Sequence, residues 1–488
     1  MPPSPAPTRR TIAAGLAATL VGLPSPGIAQ NPGGAPKTSS PPAGPAPGER
    51  LLRAAPAALR LKPGGPETTL WAFDGQVPGP VVRVRQGEEV RLRFVNDLPA
   101  PISLHWHGVR GPNAMDGVAG LTQAPVPQGG SFEYRFVPPD AGTFLIRPCI
   151  PGGTAEATDR GLYGLLVVEE AEPARVDRDL ALVVDDWRLD EAGTPAAFGQ
   201  GPEASLGRLG NWLTVNTRPV PERIELPPGS RVRLRLVNAA NARAMPVRFE
   251  GLKAYVIAVD GQPTDTFEPL RATLPFIPGS RYDLLVDLPD ETGTAGSVMA
   301  ILGQPTPIIT LVTAGEPASR TRPPLPAIAP LAPNTRLPPA IRLQDAVRRD
   351  LVIGTGARPA APAGRRPAVS EGAAPAAPSG PPSAWSINGV LGATSNPPLV
   401  SVKRGQPVVL AIMNQTPYVQ PIHLHGHHFR LLHPFDDGWE PYWLDTMQIP
   451  ENRTVRIAFH ADNPGKWVLG SMVLERFDKG LWTWFEVT

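Results

Sequence analysis

The chain is short of the residue types that most often carry chemistry. Its 488 residues hold one cysteine, Cys149, and eight histidines, of which the first 422 residues contain only His105 and His107. One cysteine excludes an intrachain disulfide framework. Charge of one sign is lacking too: 46 Lys and Arg stand against 44 Asp and Glu, a formal net charge of +2. The basic residues are spread rather than clustered, which argues against nucleic acid as a partner. Apolar runs long enough to span a bilayer are missing, and so is any long helical period. Proline and glycine are plentiful, at 65 and 49 residues. With 41% hydrophobic residues and low charge, the sequence is core-forming rather than disordered. At roughly 150 residues per domain, its length predicts about three domains.

The N-terminal stretch "TRRTIAAGLAATLVGLPSPGIAQ" places Arg9-Arg10 before a short, mild apolar segment and ends in the small residues around Ala29. This pattern resembles a twin-arginine signal peptide over residues 1–29, the route of proteins exported already folded. It predicts a mature chain in the periplasm with no integral membrane segment. Residues 30–50 read as a Pro/Gly/Ser linker.

The rest of the chain repeats itself. "GEEVRLRFVNDLPAPISLHWHG" from Gly87, "GSRVRLRLVNAANARAMPVRFEG" from Gly229 and "GQPVVLAIMNQTPYVQPIHLHG" from Gly405 align without a gap. Each puts Val three residues and Asn nine residues after the Gly. Nine residues beyond that Asn stand His105, Val247 and His423; two further on stand His107, Phe249 and His425. Alternation such as "VRLRF" marks half-buried strands, and Gly and Pro clusters end them. Repeats of this length predict repeated whole domains: an all-β chain of three Greek-key β-sandwiches in tandem. The expected bounds are 51–172, 173–318 and 341–488, with a Pro-rich linker at 319–340 and a Pro/Ala-rich insertion at 357–384 on an edge hairpin of the third domain.

A second pattern joins the outer domains. "PQGGSFEYRFVPPDAGTFLIRPC" from Pro127 and "PENRTVRIAFHADNPGKWVLGSM" from Pro450 share a Gly fifteen residues on. Beyond it, matching offsets give Arg147 and Cys149 in one and Gly470 and Met472 in the other. The middle domain carries no metal-ligand residues at its matching places, so a shared site belongs between the first and third. Residues i and i+2 of a strand point to one face. His-x-His on a strand is therefore a two-toothed clamp, and imidazole suits copper and zinc. Two such clamps at identical offsets in a histidine-poor chain point to a metal site at His105, His107, His423 and His425. His427, His428, His433 and His460 are expected around that site or at the surface.

"SLHWHGVRGPNAMDGVAGLTQAPVPQGGSFEYRF", "RGLYGLLVVE", "GNWLTVN", "NAANAR" and "PIHLHGHHF" resemble the multicopper oxidase family, a likeness that runs over nearly all of the mature sequence. The resemblance implies three cupredoxin domains, a mononuclear type 1 copper that takes in electrons and a trinuclear cluster that reduces dioxygen. The family's ligand motifs are HxHG, HxH, HPxHLH and HCHxxxHxxxxM. Here the first is intact at His105 and His107. The second is replaced by Arg147 and Cys149. The third keeps His423 and His425 but has Gln420 in place of the type 1 histidine. In the fourth, Gly470, Ser471, Met472, Arg476 and Leu481 replace every ligand. The thiolate and both imidazoles of a blue copper centre are thus absent.

By resemblance, His105 and His423 match the type 2 pair, and His107 and His425 each match a type 3 ligand. This implies a reduced four-histidine site for copper, with one ion expected. Cys149 and Met472 are additional soft-ligand candidates; Cys149 reads equally well as a small buried hydrophobe. Arg147 is a fixed charge that would repel a nearby copper ion and stand in for one. Asp116 is expected to pair with Arg147 or to hydrogen-bond a metal-bound water. Two functional readings follow. One is a periplasmic copper-binding protein with at most residual oxidoreductase activity, not a competent laccase. The other is a copper-free cupredoxin scaffold acting in cell-envelope or division processes, with a protein partner.

Overall fold

The computed structural model describes residues 49–293, 295–318, 324–356, 382–436 and 438–488. Residues 1–29, where the export signal is expected, all but the end of the 30–50 linker, residues 319–323 and the body of the 357–384 insertion lie outside the described residues.

Six sheets pair into three sandwiches. The first has two four-stranded sheets, the second a seven-stranded and a five-stranded sheet, and the third two five-stranded sheets. The repeat read in the sequence is a repeat of structure. In each sandwich the strand following the repeated glycine pairs in parallel with that domain's opening strand: Arg50 with Leu92, Arg178 with Val232, and Val347 with Val408. One large apolar cluster fills each sandwich, built around Phe94, Leu236 and Leu410 respectively.

The repeated asparagine has one job in all three copies. Its side-chain amide donates to carbonyls of the following turn and of a second segment packed beside it, and its oxygen accepts the amide two residues on. Asn96 reaches Ala100 O and Val126 O at 2.8 Å and accepts Leu98 N–H at 3.1 Å. Asn238 reaches Arg243 O and Phe276 O and accepts Ala240 N–H. Asn414 reaches Tyr418 O and Pro450 O and accepts Thr416 N–H. These side chains are fully buried. They satisfy backbone groups that would otherwise cost free energy in a dry turn, and they fix where the next strand begins. That strand is Leu104–His107, Val247–Glu250 or Gln420–Leu424.

The described part of the Pro-rich segment after the second domain, from residue 324, is pinned rather than free. Leu331 and Leu337 are buried. Pro326 O accepts from Arg231, and Asn334 donates to Asp140 and to Gln262. Trp385–Ile387 is the edge strand beside Val347–Thr355, so the described flanks of the insertion form an edge hairpin. Among the described residues, no helix is long and apolar enough to cross a membrane.

Candidate metal centre

The two clamps meet. His105 and His107 lie on Leu104–His107; His423 lies on Gln420–Leu424 and His425 directly beyond it. All four rings are at most 2% exposed. His105 stacks on His425 with centroids 3.7 Å apart, and His107 on His423 at 3.6 Å. Each stack pairs one ring from the first domain with one from the third.

The ring nitrogens divide into held and free. His105 Nδ1 lies 2.9 Å from Asp116 O, and His423 Nδ1 lies 2.9 Å from Asp445 O. A carbonyl only accepts, so both Nδ1 atoms carry the hydrogen and both Nε2 atoms present lone pairs. Those two Nε2 atoms face one another at 3.3 Å. His107 is held the other way round: Nε2 sits 2.9 Å from Thr446 Oγ1 and 3.3 Å from Asp445 Oδ1, leaving Nδ1 buried without a partner. His425 Nδ1 contacts Asp116 Oδ2 at 3.0 Å. Two sets of donor atoms lie within 4.8 Å of one another: His105, His107 and His423, and His105, Asp116 and His425.

Burial sets the protonation. It pushes His423 down to about 4 against the pull of Asp445. His107 and His425 are held well below the ordinary histidine value, first by burial and then by the neighbouring rings His423 and His105. Burial works against ionised Asp116, but His425 and His105 prevail and hold its carboxyl below the usual range. Neutral imidazoles beside a carboxylate form a donor set ready for a cation. Two nitrogens on one ion at about 2.0–2.1 Å each accommodate the 3.3 Å separation of His105 Nε2 and His423 Nε2.

The other expected residues sit around this centre. Asp116 does not pair with Arg147; its carboxyl oxygens face His105 Nδ1 at 3.2 Å and His425 Nδ1 at 3.0 Å. Arg147 stands directly across the ladder from His105 and is 3% exposed. It donates weakly to Pro148 O and Met472 Sδ, both at 3.3 Å, with Nε unpartnered. Burial pushes this guanidinium below its usual value. Met472 is brought to the edge of the site: a Cβ on Gly279, which has φ +84°, would lie 2.7 Å from Met472 Cε and 2.8 Å from His107 Cε1. Cys149 is not brought in. It packs in an apolar cluster with Val118, Val468, Phe477, Trp482 and Trp484, and burial pushes its thiol up to about 12. Its sulfur belongs to neither donor set.

The positions that match the remaining family ligands are occupied by packing. Across from His423 stands Gly470, where a Cβ would lie 2.9 Å from two ring carbons of Phe477. Gln420, fully buried, donates to Thr416 Oγ1 and accepts from Arg476 Nη1 at 2.8 Å. Ser471 Oγ accepts Val473 N–H, and Leu481 is buried in the third core. Of the other histidines, His427 lies among Phe459, Trp467 and Phe485. His428 Nε2 approaches Asp260 O at 3.3 Å and Asp445 Oδ2 at 3.5 Å. His433 is a surface residue.

Sequence reasoning missed Asp445, Thr446, Asp260 and Arg281. The middle domain contributes no ligand at the repeat positions, yet it supplies Arg281, Asp260 and Gly279 to the wall of the site. Only alignment to a chain with a known site, not spacing within this one, marks such residues.

Three tandem cupredoxin-type sandwiches with a buried histidine cluster between the first and last define the class: a three-domain cupredoxin protein. The chain belongs to the multicopper oxidase family, whose profiles match residues 58–173, 199–296 and 371–488. A multicopper oxidase crystal structure from Pseudomonas thermotolerans is 31% identical, with a TM-score of 0.76 over 90% of this chain and 99% of that one. The multicopper oxidase MmcO of Mycobacterium tuberculosis is 28% identical over 85% of this chain and 82% of its own length. The cell division protein FtsP of Proteus mirabilis is 32% identical over 48% of this chain and 50% of its own.

Proposed function

We propose that this is an exported, periplasmic copper-binding member of the family that holds one ion between its outer domains and is not a laccase. The observation that carries this reading is the facing pair of His105 Nε2 and His423 Nε2, 3.3 Å apart, each with its Nδ1 hydrogen committed to a backbone carbonyl. Two lone pairs so placed repel unless a cation lies between them. A ring nitrogen of His107 lies within 4.8 Å of the donor atoms of His105 and His423, and its Nδ1 is unpartnered. Desolvating these groups without a partner is costly, and a metal satisfies them together. His105 and His423 would hold the ion, with His107 and His425 alongside and Asp116 fixing two of the rings. Bound copper would supply a one-electron couple. The Gln420–Arg476 pair where the family places its type 1 histidines supports the absence of laccase-type electron entry, so activity is residual at most.

The test is metal stoichiometry and melting temperature of protein purified from the periplasm, against His105→Ala plus His423→Ala. One equivalent of copper in the wild type, with a copper-dependent rise in melting temperature lost in the double variant, supports the reading. No copper uptake at micromolar concentration overturns it. In that case the second reading takes over: a metal-free envelope or division scaffold, favoured by the Phe477 ring beside Gly470 and by the likeness to FtsP.

A further inference from the structure

Arg281 is a buried side chain through which the middle domain reaches the histidine centre. Arg281 opens the strand Arg281–Asp287 and is fully buried. Its fork grips Asp445 of the third domain, Nη1 to Oδ1 at 3.0 Å and Nη2 to Oδ2 at 2.5 Å. Two more of its five donors are spent: Nε binds Thr143 O of the first domain and Nη1 binds Gly279 O, each at 3.0 Å. The guanidinium thus touches all three domains and has no freedom to turn. A planar fork of this kind fixes the plane of the carboxylate it holds.

Asp445 passes that orientation on. Oδ1 lies 3.3 Å from His107 Nε2 and 3.4 Å from His423 Nδ1, while Oδ2 lies 3.5 Å from His428 Nε2. Thr446 Oγ1 donates to Asp445 Oδ1 at 2.7 Å, which commits its hydrogen. Its oxygen is therefore an acceptor where it meets His107 Nε2 at 2.9 Å. His107 Nε2 then faces only acceptors, so it carries the hydrogen and Nδ1 is left with a lone pair. The middle domain braces the same segment a second time: Asp260 Oδ2 accepts the amides of Asp445 and Thr446 at 3.3 and 3.2 Å.

We propose that Arg281, acting through Asp445, is the positioning residue that fixes the ring orientation of His107 and His423 and decides which nitrogen of His107 carries the hydrogen. Its metal-affinity consequence rests on the metal reading above; its effect on the rings does not. Partners one step behind a ligand typically change affinity 10–100-fold when lost. With the fork gone, the carboxylate turns, His107 Nε2 loses an acceptor, and the hydrogen moves to Nδ1, where it blocks the free donor.

The experiment uses the full mature chain with Arg281→Lys, Arg281→Met, Asp445→Asn and the Arg281→Lys/Asp445→Asn pair. Arg231→Met serves as control, because Arg231 donates from Nε and Nη2 to both oxygens of Asp287 in the same domain and touches no histidine. Titration with Cu(II) and with Zn(II) should show 10–100-fold weaker binding for Arg281→Lys and for Asp445→Asn, with the double variant no weaker than Asp445→Asn alone. Arg231→Met should lower stability and leave the affinity in place. Histidine-labelled protein without metal should show altered ring 15N shifts in Arg281→Lys, and Arg281→Met gives the same reading if it folds. Affinity within twofold of wild type, losses that multiply in the double variant, or unchanged ring shifts would each overturn the proposal. If the wild type takes up no metal, the metal reading fails by itself and the ring shifts decide the role of Arg281.

Discussion

Arg476 donates to the side-chain oxygen of Gln420 at 2.8 Å, and so closes the space in which a multicopper oxidase carries its two type 1 histidines. The same guanidinium donates to Val419 O at 2.7 Å and Leu206 O at 2.9 Å, and lies over the rings of Trp385 and Tyr418. Burial pushes it down to about 10, still charged at neutral pH.

The copper-loaded protein should therefore lack the intense visible band of thiolate-bound copper and should not oxidise phenols with dioxygen. Ser471→Cys alone should not create that band, because Gln420, Arg476 and Leu481 remain. Arg476→Ala should destabilise by about 2–4 kcal/mol, since several buried carbonyls lose a charged donor. Absorption spectra and denaturant titrations check these outcomes; an intense blue colour in the wild type would count against them.

Gly470 is a packing requirement. Gly470→Ala should cost about 1–3 kcal/mol, the usual price of overpacking, because the new methyl meets the Phe477 ring. Gly470→His should fold only when combined with Phe477→Ala. Equal stability of Gly470→Ala and wild type in urea would refute the clash.

A buried acid at the domain junction gives a signed pH effect. Asp185 is pushed up to about 7, first by burial and then by neighbouring Asp186. Its folded value exceeds its unfolded value, so the native state binds the extra proton between about pH 4 and 7. This contribution is fully present below about pH 4 and is lost as pH rises through 7. Asp185→Asn removes it. The stability of Asp185→Asn relative to wild type should climb from about pH 4 to 7 and then level off. A difference that is flat or falls across that window would be the contrary result.

Export is tested separately. Replacing Arg9 and Arg10 by Lys should leave the precursor in the cytoplasm, as fractionation and blotting would show. Normal periplasmic yield of the double variant would rule the twin-arginine route out.

What was legible in the sequence is what the fold requires locally and repeatedly. The glycines at 87, 229 and 405 all take φ between 69° and 90°, and the asparagines nine residues on latch the same turn, so both recur at fixed spacing. The paired histidines were legible because residues two apart on a strand share a face. Arg281, Asp260 and Asp445 were not. They are ordinary residue types that converge from distant strands, and only the docking of domains brings them together. The ring of Phe477 beside Gly470 was hidden for the same reason. A glycine in the sequence does not say what fills the space above it. Cys149 was left open between ligand and core because a lone cysteine looks alike in both; the apolar cluster around it was not written in its neighbours.

The asparagine latch appears in all three domains, whereas histidines follow it only in two. Folding and metal holding are therefore separable in the chemistry of a single motif. The latch and the strand after it form in the middle domain with Val247 and Phe249 where the outer domains carry histidines. One latched segment thus carries a pair of histidines in the outer domains and a pair of core side chains in the middle one.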